Sequence, residues 1–302
     1  MRRLTALALG VACGACVAPA RESTPPESAE VVQPVETPAP APAPAPSLPG
    51  PTTFVFSGEL TQGGWIRGQV PAGAVSARLD DKALTFAQDG RFFAAFDRDA
   101  APTSILSATL ADGRTIESPI VVSPRAWQIE HIDASPTANV PSAEFLARRR
   151  PELERIASAR QIESGSEGWR QSFVWPATGR ISGRFGSQRV YRGEPGSYHS
   201  GIDIAGGSGT AYVAPADGVV VLAAEAPFTL EGNLLIVDHG MGLNSAFLHS
   251  SELLVRQGET VRQGQVLGRI GMTGRATGPH LHWSLVWRGL RLDPLLFTGP
   301  MG

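Results

Sequence analysis

Short apolar runs separated by turn residues constrain the fold of this chain more than any other feature. Between Phe54 and Ser123 these runs recur about 8 to 12 residues apart, which indicates β-strands. Asp89-Gly90 and Asp112-Gly113 each lie between two runs. Asp-Gly in this setting predicts a two-residue hairpin loop, because glycine tolerates the positive φ that the turn requires. Residues 51–125 are therefore predicted to form a small β-sandwich-like module.

Alternation within Ser104–Leu110 predicts a strand with one buried face, formed by Leu106, Ala108 and Leu110. Histidines and carboxylates do not cluster in this module. We therefore expect a structural or spacing role for it rather than a wall-binding site.

The residue pattern changes from strand-like to helical in residues 126–169, which are predicted to form a helical connector. Ser142 is a candidate N-cap for a first helix. Pro151 interrupts the pattern, and a second helix is predicted over Glu152–Gln161, with Leu153, Ile156 and Ala157 at helical spacing. Proline is tolerated in the first turn of such a helix.

Residues 170–302 again have a strand-like pattern and are rich in glycine. Helical segments do not alternate with these strands, which argues against a parallel sheet. The whole chain is predicted to be mainly β. The strands expected here are Arg180–Phe185, Ser200–Ile204, Gly218–Ala223, Leu234–Asp238, Asn244–His249, Thr260–Val261, Val266–Ile270 and His280–Trp287.

The N-terminus has the pattern of an export signal over residues 1–16, with a basic start and a short apolar run. Two outcomes stay open. Gly14-Ala15-Cys16 resembles the end of a lipobox, which would anchor Cys16 in the outer membrane, with Cys13 as a second candidate. Ala18-Pro19-Ala20 would instead allow ordinary cleavage near residue 20. Both place the protein outside the cytoplasm, in a periplasm.

Residues 17–50 are rich in proline and alanine, which cannot form a core and favour an extended linker. A spacer and an unstructured leader are equally compatible with this tract. The formal net charge of −2 gives no reason to expect a nucleic-acid partner. The only cysteines are Cys13 and Cys16, so any metal in the folded part must be held by histidine and carboxylate.

Histidines are concentrated near the C-terminus. His199 and Asp203 form His-x-x-x-Asp, His280 and His282 form His-x-His, and His249 stands alone. Side chains at i and i+2 of a strand share one face, so the His-x-His pair is side by side. Catalytic zinc sites use three protein ligands and keep one position open. His199, Asp203 and either imidazole of the pair make such a set, and a second imidazole can handle protons.

Six segments resemble the LytM/lysostaphin-type zinc endopeptidases. They occur in the order expected for that family: His199-Ser-Gly-Ile-Asp203, Ala214-Pro-Ala-Asp-Gly-Val-Val220, Asn233-Leu-Leu-Ile-Val-Asp-His-Gly240, Phe247-Leu-His-Ser250, Gly258-Glu-Thr-Val-Arg-Gln-Gly-Gln265 and Thr277-Gly-Pro-His-Leu-His282.

The resemblance implies an antiparallel β-sheet groove over 170–302. It implies one zinc ion bound by His199, Asp203 and His282, with His249 and His280 as catalytic residues. The implied substrate is the peptide cross-link between peptidoglycan stem peptides. Many members carry tyrosine two residues before the isolated histidine, where this chain has phenylalanine. That change argues against a third donor to an oxyanion.

Two other functions were weighed. Degenerate relatives that lack metal ligands activate wall amidases, but here all five site positions are intact. A carrier domain of the lipoyl or biotinyl type needs a modifiable lysine, and the only lysine, Lys82, lies outside 170–302. The sequence leaves the oligomeric state open.

Overall fold

The fold is known from a computed structural model that describes residues 50–135 and 142–301. Its N-terminal part contains seven strands: β1 (Val55–Gly58), β2 (Trp65–Gln69), β3 (Ala74–Leu79), β4 (Lys82–Leu84), β5 (Arg91–Ala95), β6 (Thr103–Leu110) and β7 (Thr115–Val121). They form two antiparallel sheets, ordered β1-β2-β5 and β4-β3-β6-β7. Both sheets contribute buried side chains to one core, as a small sandwich requires.

Both Asp-Gly pairs lie in hairpin loops, but the predicted loop length was wrong. The amide of Leu110 donates to the carbonyl of Arg114, which leaves a loop of three residues rather than two. The amide of Ala87 donates to Arg91 in the same way. Gly90 and Gly113 take the positive φ of the last loop position, at 77° and 85°. A type I turn followed by a left-handed residue accounts for this geometry.

The predicted alternation in β6 is confirmed: Leu106, Ala108 and Leu110 are buried while Ile105 is 44% exposed. We expect Leu106→Ala to lower the free energy of unfolding by about 3 kcal/mol, because it leaves a cavity in a closed core. Ile105→Ala, one residue away on the opposite face, should change it by less than about 1 kcal/mol. Urea denaturation of both variants tests this. Equal losses would mean that the two faces of β6 are not packed differently.

The connector between the two parts contains β8 (Ile129–Ile132) and one helix, α1 (Ala143–Ala159). The sequence prediction missed β8. The strand pairs in parallel with β10 (Gln188–Tyr191), which in turn pairs with β11 (Glu194–Pro195). The polar segment forms a strand because it completes this small sheet, not because it has an apolar face of its own.

Helix α1 corrects the prediction of two helices, because it runs through Pro151 without a break. Ser142 is the N-cap, as predicted, and its hydroxyl accepts from the amide of Phe145 at 3.1 Å. The helix buries Ile156, as predicted, and Ala159, whereas Leu153 and Ala157 are exposed, so the predicted apolar face was wrong at these two positions. A proline inside a helix costs about 3 kcal/mol, and tertiary contacts offset that cost here.

Those contacts are made on either side of the proline. The guanidinium of Arg149 bonds to Glu231 at 2.6 Å and to Glu152 at 2.9 Å. Glu152 in turn accepts from the amide and hydroxyl of Thr229, both at 2.7 Å. These bonds attach the helix to the loop that precedes Asn233, so tertiary contacts decide that the helix continues through Pro151.

The C-terminal part is almost entirely β. Its remaining strands are β9 (Ile181–Gly183), β12 (Ile202–Ala205), β13 (Ala211–Val213), β14 (Gly218–Ala223), β15 (Asn233–Asp238), β16 (Leu243–Ser250), β17 (Glu252–Leu253), β18 (Thr260–Val261), β19 (Val266–Arg269), β20 (His280–Trp287) and β21 (Leu290–Leu292). Two short 3-10 turns lie at Gly168–Arg170 and Pro294–Leu296.

The largest sheet is antiparallel, with the order β18-β14-β15-β16-β20-β12-β9, and β21 pairs with the end of β20. A smaller sheet has the order β13-β19-β17. All eight predicted strands of this part are present within two residues of their predicted bounds, and the mainly β prediction is confirmed. The domain boundaries proposed from the sequence stay a prediction.

Aromatic side chains join the N-terminal strands to the C-terminal sheet. The ring of Phe93 lies 6.2 Å from Trp287 and 6.2 Å from Phe297. The indole of Trp65 donates to the carbonyl of Leu296 at 2.8 Å. These residues belong to one continuous core, so the two parts are packed together and not merely tethered. None of the helices in the described ranges is long and apolar enough to cross a membrane.

Candidate metal centre

Two of the candidate ligands are direct cross-strand partners. Strands β12 and β20 are antiparallel, and their register places Asp203 opposite His282. Paired residues share a face, so both side chains point the same way and their atoms Oδ1 and Nδ1 lie 2.8 Å apart. The sheet therefore builds half of the cluster from residues that are far apart in sequence.

The third member, His199, lies just before β12. Its Nε2 is 3.1 Å from Asp203 Oδ1 and 3.1 Å from His282 Nδ1. Its Nδ1 is 3.1 Å from the carbonyl oxygen of Arg184, which can only accept, so Nδ1 carries the hydrogen. This bond leaves the lone pair of Nε2 directed at the other two residues, the arrangement usual for histidines that bind metals.

These three residues fit a small cation. A carboxylate oxygen and two imidazole nitrogens converge, and such lone pairs repel one another unless a proton or a cation lies between them. Tetrahedral zinc with ligands at 2.0–2.2 Å requires ligand atoms about 3.3 Å apart, close to the separations found here. The set of one carboxylate and two imidazoles matches the ligand types zinc prefers.

Close approach of β9 makes Gly183 part of the site. A Cβ at this position would lie 2.3 Å from Asp203 Oδ2 and 3.1 Å from His199 Cε1. Only glycine lets the neighbouring strand pass without displacing two candidate ligands.

A β-bulge places His249 beside the cluster. Strand β16 puts two residues, Leu248 and His249, opposite the single Leu234 of β15. In a regular strand His249 would point to the other face from Leu248, which pairs with His282. The bulge gives His249 a φ of 65° and turns its ring toward His280, 5.0 Å away between ring centres.

Backbone carbonyls orient both candidate catalytic imidazoles. Nδ1 of His249 donates to the carbonyl of Thr273 at 2.8 Å, and Nδ1 of His280 donates to Gly278 at 2.8 Å. Each ring thus keeps Nε2 available, and Nε2 of His280 lies 3.6 Å from Asp203 Oδ1. The two histidines of β20 therefore differ in the ring nitrogen that faces Asp203: Nδ1 in His282 and Nε2 in His280.

The pKa values of the clustered side chains are shifted in different directions. Burial would raise the pKa of Asp203, but hydrogen bonds to His199 and His282 hold it far below its usual range. Burial opposes protonation of His199, yet the Asp203 carboxylate raises its pKa overall. Burial lowers the pKa of His282 and of His249. His249 is therefore held neutral at neutral pH, with a lone pair that can accept a proton.

Two histidines lie outside the cluster. His131 is exposed on β8. His239 is in the turn between β15 and β16 and is fully buried. Its Nδ1 donates to the carbonyl of Asp217 at 2.7 Å, and its Nε2 lies 2.7 Å from the hydroxyl of Ser245. His239 thus holds two strands together, and burial lowers its pKa to about 4.

His239 should make the fold sensitive to acid. Because its folded-state pKa of about 4 lies below the unfolded value of 6.5, the unfolded chain binds more protons between these pH values. Stability is therefore present above pH 6.5 and is lost as the pH falls toward 4. We expect a loss of about 2 kcal/mol between pH 7 and pH 5. Urea denaturation at several pH values in this range gives the free energy of unfolding as a function of pH. That free energy should fall less with decreasing pH in His239→Asn than in the wild type, and by the same amount as the wild type in His131→Asn.

Two supporting groups of the site are not predicted by any pattern in the sequence. Thr273 orients His249 through its carbonyl, and its hydroxyl donates to the carbonyl of Ser250 at 2.9 Å. Tyr212 is buried, and its hydroxyl lies 2.8 Å from that of Ser250. Phe247 stacks on Tyr212 at 5.3 Å between ring centres, so it points into the core and away from the imidazoles.

The comparison with known families identifies this region. Residues 197–294 match the sequence model described as Peptidase family M23. All strands of the large sheet except β9 lie in this part, as does the His/Asp/His cluster. Residues 197–294 therefore match an M23 peptidase domain, which confirms the LytM/lysostaphin-type resemblance.

Two curated relatives illustrate the range of proteins that share this domain. The chain is 38% identical over 126 residues to the peptidoglycan DD-endopeptidase ShyA of Vibrio cholerae serotype O1, covering 40% of this chain and 28% of the relative. It is 37% identical over 123 residues to the murein hydrolase activator NlpD of Escherichia coli K12, covering 41% of this chain and 30% of that protein. The chain thus spans less than a third of either relative.

One solved structure resembles more than the M23 domain. A Pseudomonas aeruginosa crystal structure designated peptidase M23 superposes with a TM-score of 0.61 at 28% identity, over 80% of this chain and 95% of that chain. An alignment of this extent cannot be accommodated by residues 170–302 alone, so it includes the N-terminal β-sheets.

Proposed function

We propose that this protein is a zinc-dependent endopeptidase that hydrolyses peptide cross-links of bacterial peptidoglycan. The observation that carries the proposal is the convergence of His199, Asp203 and His282 within 3.1 Å, beside two further imidazoles. The match to the M23 family supports peptide-bond hydrolysis, and similarity to a DD-endopeptidase supports peptidoglycan as the substrate.

In this proposal His199, Asp203 and His282 hold one zinc ion. When bound, zinc supplies a Lewis acid that polarises the scissile carbonyl and lowers the pKa of a water nucleophile. Arg184 and Gly183 keep the ligands in place, the first through its carbonyl and the second by lacking a side chain.

The two remaining imidazoles handle protons and charge. His249 is neutral because burial lowers its pKa, so its Nε2 can accept a proton from the attacking water. It can return that proton to the amine that leaves. His280 directs its Nε2 at the same space, and with both ring nitrogens protonated it can donate from Nε2 to the oxyanion of the tetrahedral intermediate.

Digestion of purified, cross-linked peptidoglycan by the zinc-loaded protein tests the proposal. Mass spectrometry of the released fragments should show loss of cross-linked dimers and identify the bond that is cut. No loss of dimers, with one zinc bound per chain, would contradict the endopeptidase proposal. In that case residues 170–302 alone should be tested for inhibition by the N-terminal module.

A second candidate function is activation of a wall amidase without catalysis. Similarity to the activator NlpD favours it. An activator requires the groove surface but neither the metal nor the imidazoles. A purified amidase would therefore respond equally to the wild type and to a variant without zinc, whereas an endopeptidase would be inactive without zinc.

The proposal includes a location in the cell envelope, with a lipid anchor on Cys16 as one of two processing routes. Similarity to the NlpD/LppB lipoprotein homologue of Pseudomonas aeruginosa, 37% identical over 130 residues, supports the anchor. Labelling of cells with a radioactive fatty acid should mark the wild type and not Cys16→Ser. Equal labelling would exclude Cys16 as the lipidated residue.

A further inference from the structure

A pocket apart from the imidazole cluster lies between the N-terminal sheet β1-β2-β5 and the 3-10 turn Gly168–Arg170. Its volume is about 300 Å³. Apolar side chains and arginines line it: Phe56, Phe92, Trp169, Arg67, Arg91 and Arg170. A Cβ on Gly240, in the turn before β16, would touch the indole of Trp169. His249 is at the far end of β16, so roughly 20 Å separate this pocket from the imidazole cluster.

Arg67 is the unusual residue of this pocket. Within residues 50–135 and 142–301, no carboxylate lies within ion-pair distance of its guanidinium, and its buried Nε has no hydrogen-bond partner. The guanidinium lies over the ring of Trp65, 4.5 Å from its centre. Burial without a counter-ion lowers its pKa to about 10. Arg67 is half-buried, and a partly desolvated cation without a counter-ion favours an anion beside it.

Neighbouring acids do not compensate Arg67. Asp89 bonds to Arg170 at 2.9 Å and lies 3.7 Å from Arg91. Arg170 also pairs with Glu167. Asp89 and Glu167 thus balance the charges of Arg91 and Arg170. The excess positive charge in the pocket is that of Arg67.

We propose that this pocket binds an oxyanion, a carboxylate or phosphate carried by a small and partly apolar ligand, through Arg67. The guanidinium presents paired N–H groups that match such an oxyanion. Phe56 and Phe92 provide an apolar wall for the body of the ligand. The proposal does not depend on the peptidase function, because none of these residues belongs to the imidazole cluster.

Calorimetric titration of the wild-type chain with two probes tests the site and its ligand. The probes are inorganic phosphate and N-acetyl-alanyl-alanine, the latter compared with its C-terminal amide. We expect saturable binding of at least one anionic probe and none of the amide. The tighter probe distinguishes a phosphate ligand from a carboxylate ligand. No saturable binding of either probe up to about 20 mM would overturn the proposal.

Variants assign the binding to Arg67. Arg67→Gln should weaken the probe at least tenfold, because it removes the charge-assisted bonds. Arg78→Gln is the matched control, since Arg78 is an arginine of the same sandwich that does not line the pocket. Equal affinity in Arg67→Gln and the wild type would overturn the assignment.

A chemical measurement needs no variant and covers the case in which Arg67→Gln does not fold. Phenylglyoxal modifies arginine side chains, and peptide mass spectrometry gives the rate at each one. The bound probe should slow modification of Arg67 several-fold and leave Arg78 unchanged. Equal rates at Arg67 with and without the probe would contradict the proposal.

Discussion

His282→Ala should release the zinc ion and lower peptidoglycan hydrolysis by roughly a thousandfold or more. The variant removes one of only three protein ligands, and Nδ1 of His282 is also the atom nearest to Asp203, at 2.8 Å. Without it, the remaining imidazole and carboxylate offer two ligands, which do not hold zinc firmly in a site open to water. Metal content by atomic emission and loss of cross-linked dimers by mass spectrometry measure the two effects.

His131→Ala is the control for His282→Ala. His131 is exposed on β8 and does not contact the cluster, so both metal content and hydrolysis should equal the wild type. Thermal unfolding of the metal-free proteins shows whether His282→Ala is folded. One equivalent of zinc with full hydrolysis in His282→Ala would show that His282 is not a ligand. Activity without zinc would contradict the proposed mechanism as a whole.

His249→Asn should keep the zinc ion but lose hydrolysis by about a hundredfold to ten-thousandfold, the range that general acid–base catalysis contributes. Asparagine is chosen because His249 has a φ of 65°, a conformation that asparagine tolerates and alanine does not. The β-bulge is therefore kept while the basic imidazole nitrogen is lost. Metal content should remain one equivalent per chain, in contrast to His282→Ala.

The contrast between these variants separates a ligand from a proton carrier. Loss of zinc in His249→Asn would mean that His249 supports the metal, and hydrolysis above about a tenth of the wild-type rate would mean that it carries no essential proton. His280→Asn supplies a second case, since His280 is oriented by Gly278 rather than Thr273. If both variants activate an amidase like the wild type while neither the variants nor the wild type cleave peptidoglycan, the regulator function is favoured.

Much of the C-terminal fold could be predicted from local pattern. The predicted strands between residues 180 and 287 have alternating or continuous apolar side chains, and all of them except Val266–Ile270 belong to the large sheet. Strand β8 could not be predicted, because its polar residues have no apolar face and its partner β10 is remote in sequence. Pro151 misled the helix prediction for a related reason, since the ion pairs of Arg149 that hold α1 together involve a loop some eighty residues away.

The sequence by itself determined the mainly β class, the residue types available to a metal, and the motif order that marks an M23 domain. It could not separate His280 from His282 by spacing, because both lie on one face of β20. In the structure Asp203 pairs with His282, and the carbonyl of Gly278 turns Nδ1 of His280 away, so His282 is the nearer neighbour of Asp203. His249 reaches the cluster only through a bulge, and the partnerless guanidinium of Arg67 becomes evident only once the pocket around it is built. Strand pairing and burial are long-range properties, so local sequence names the residues of a site but tertiary structure decides which of their atoms face one another.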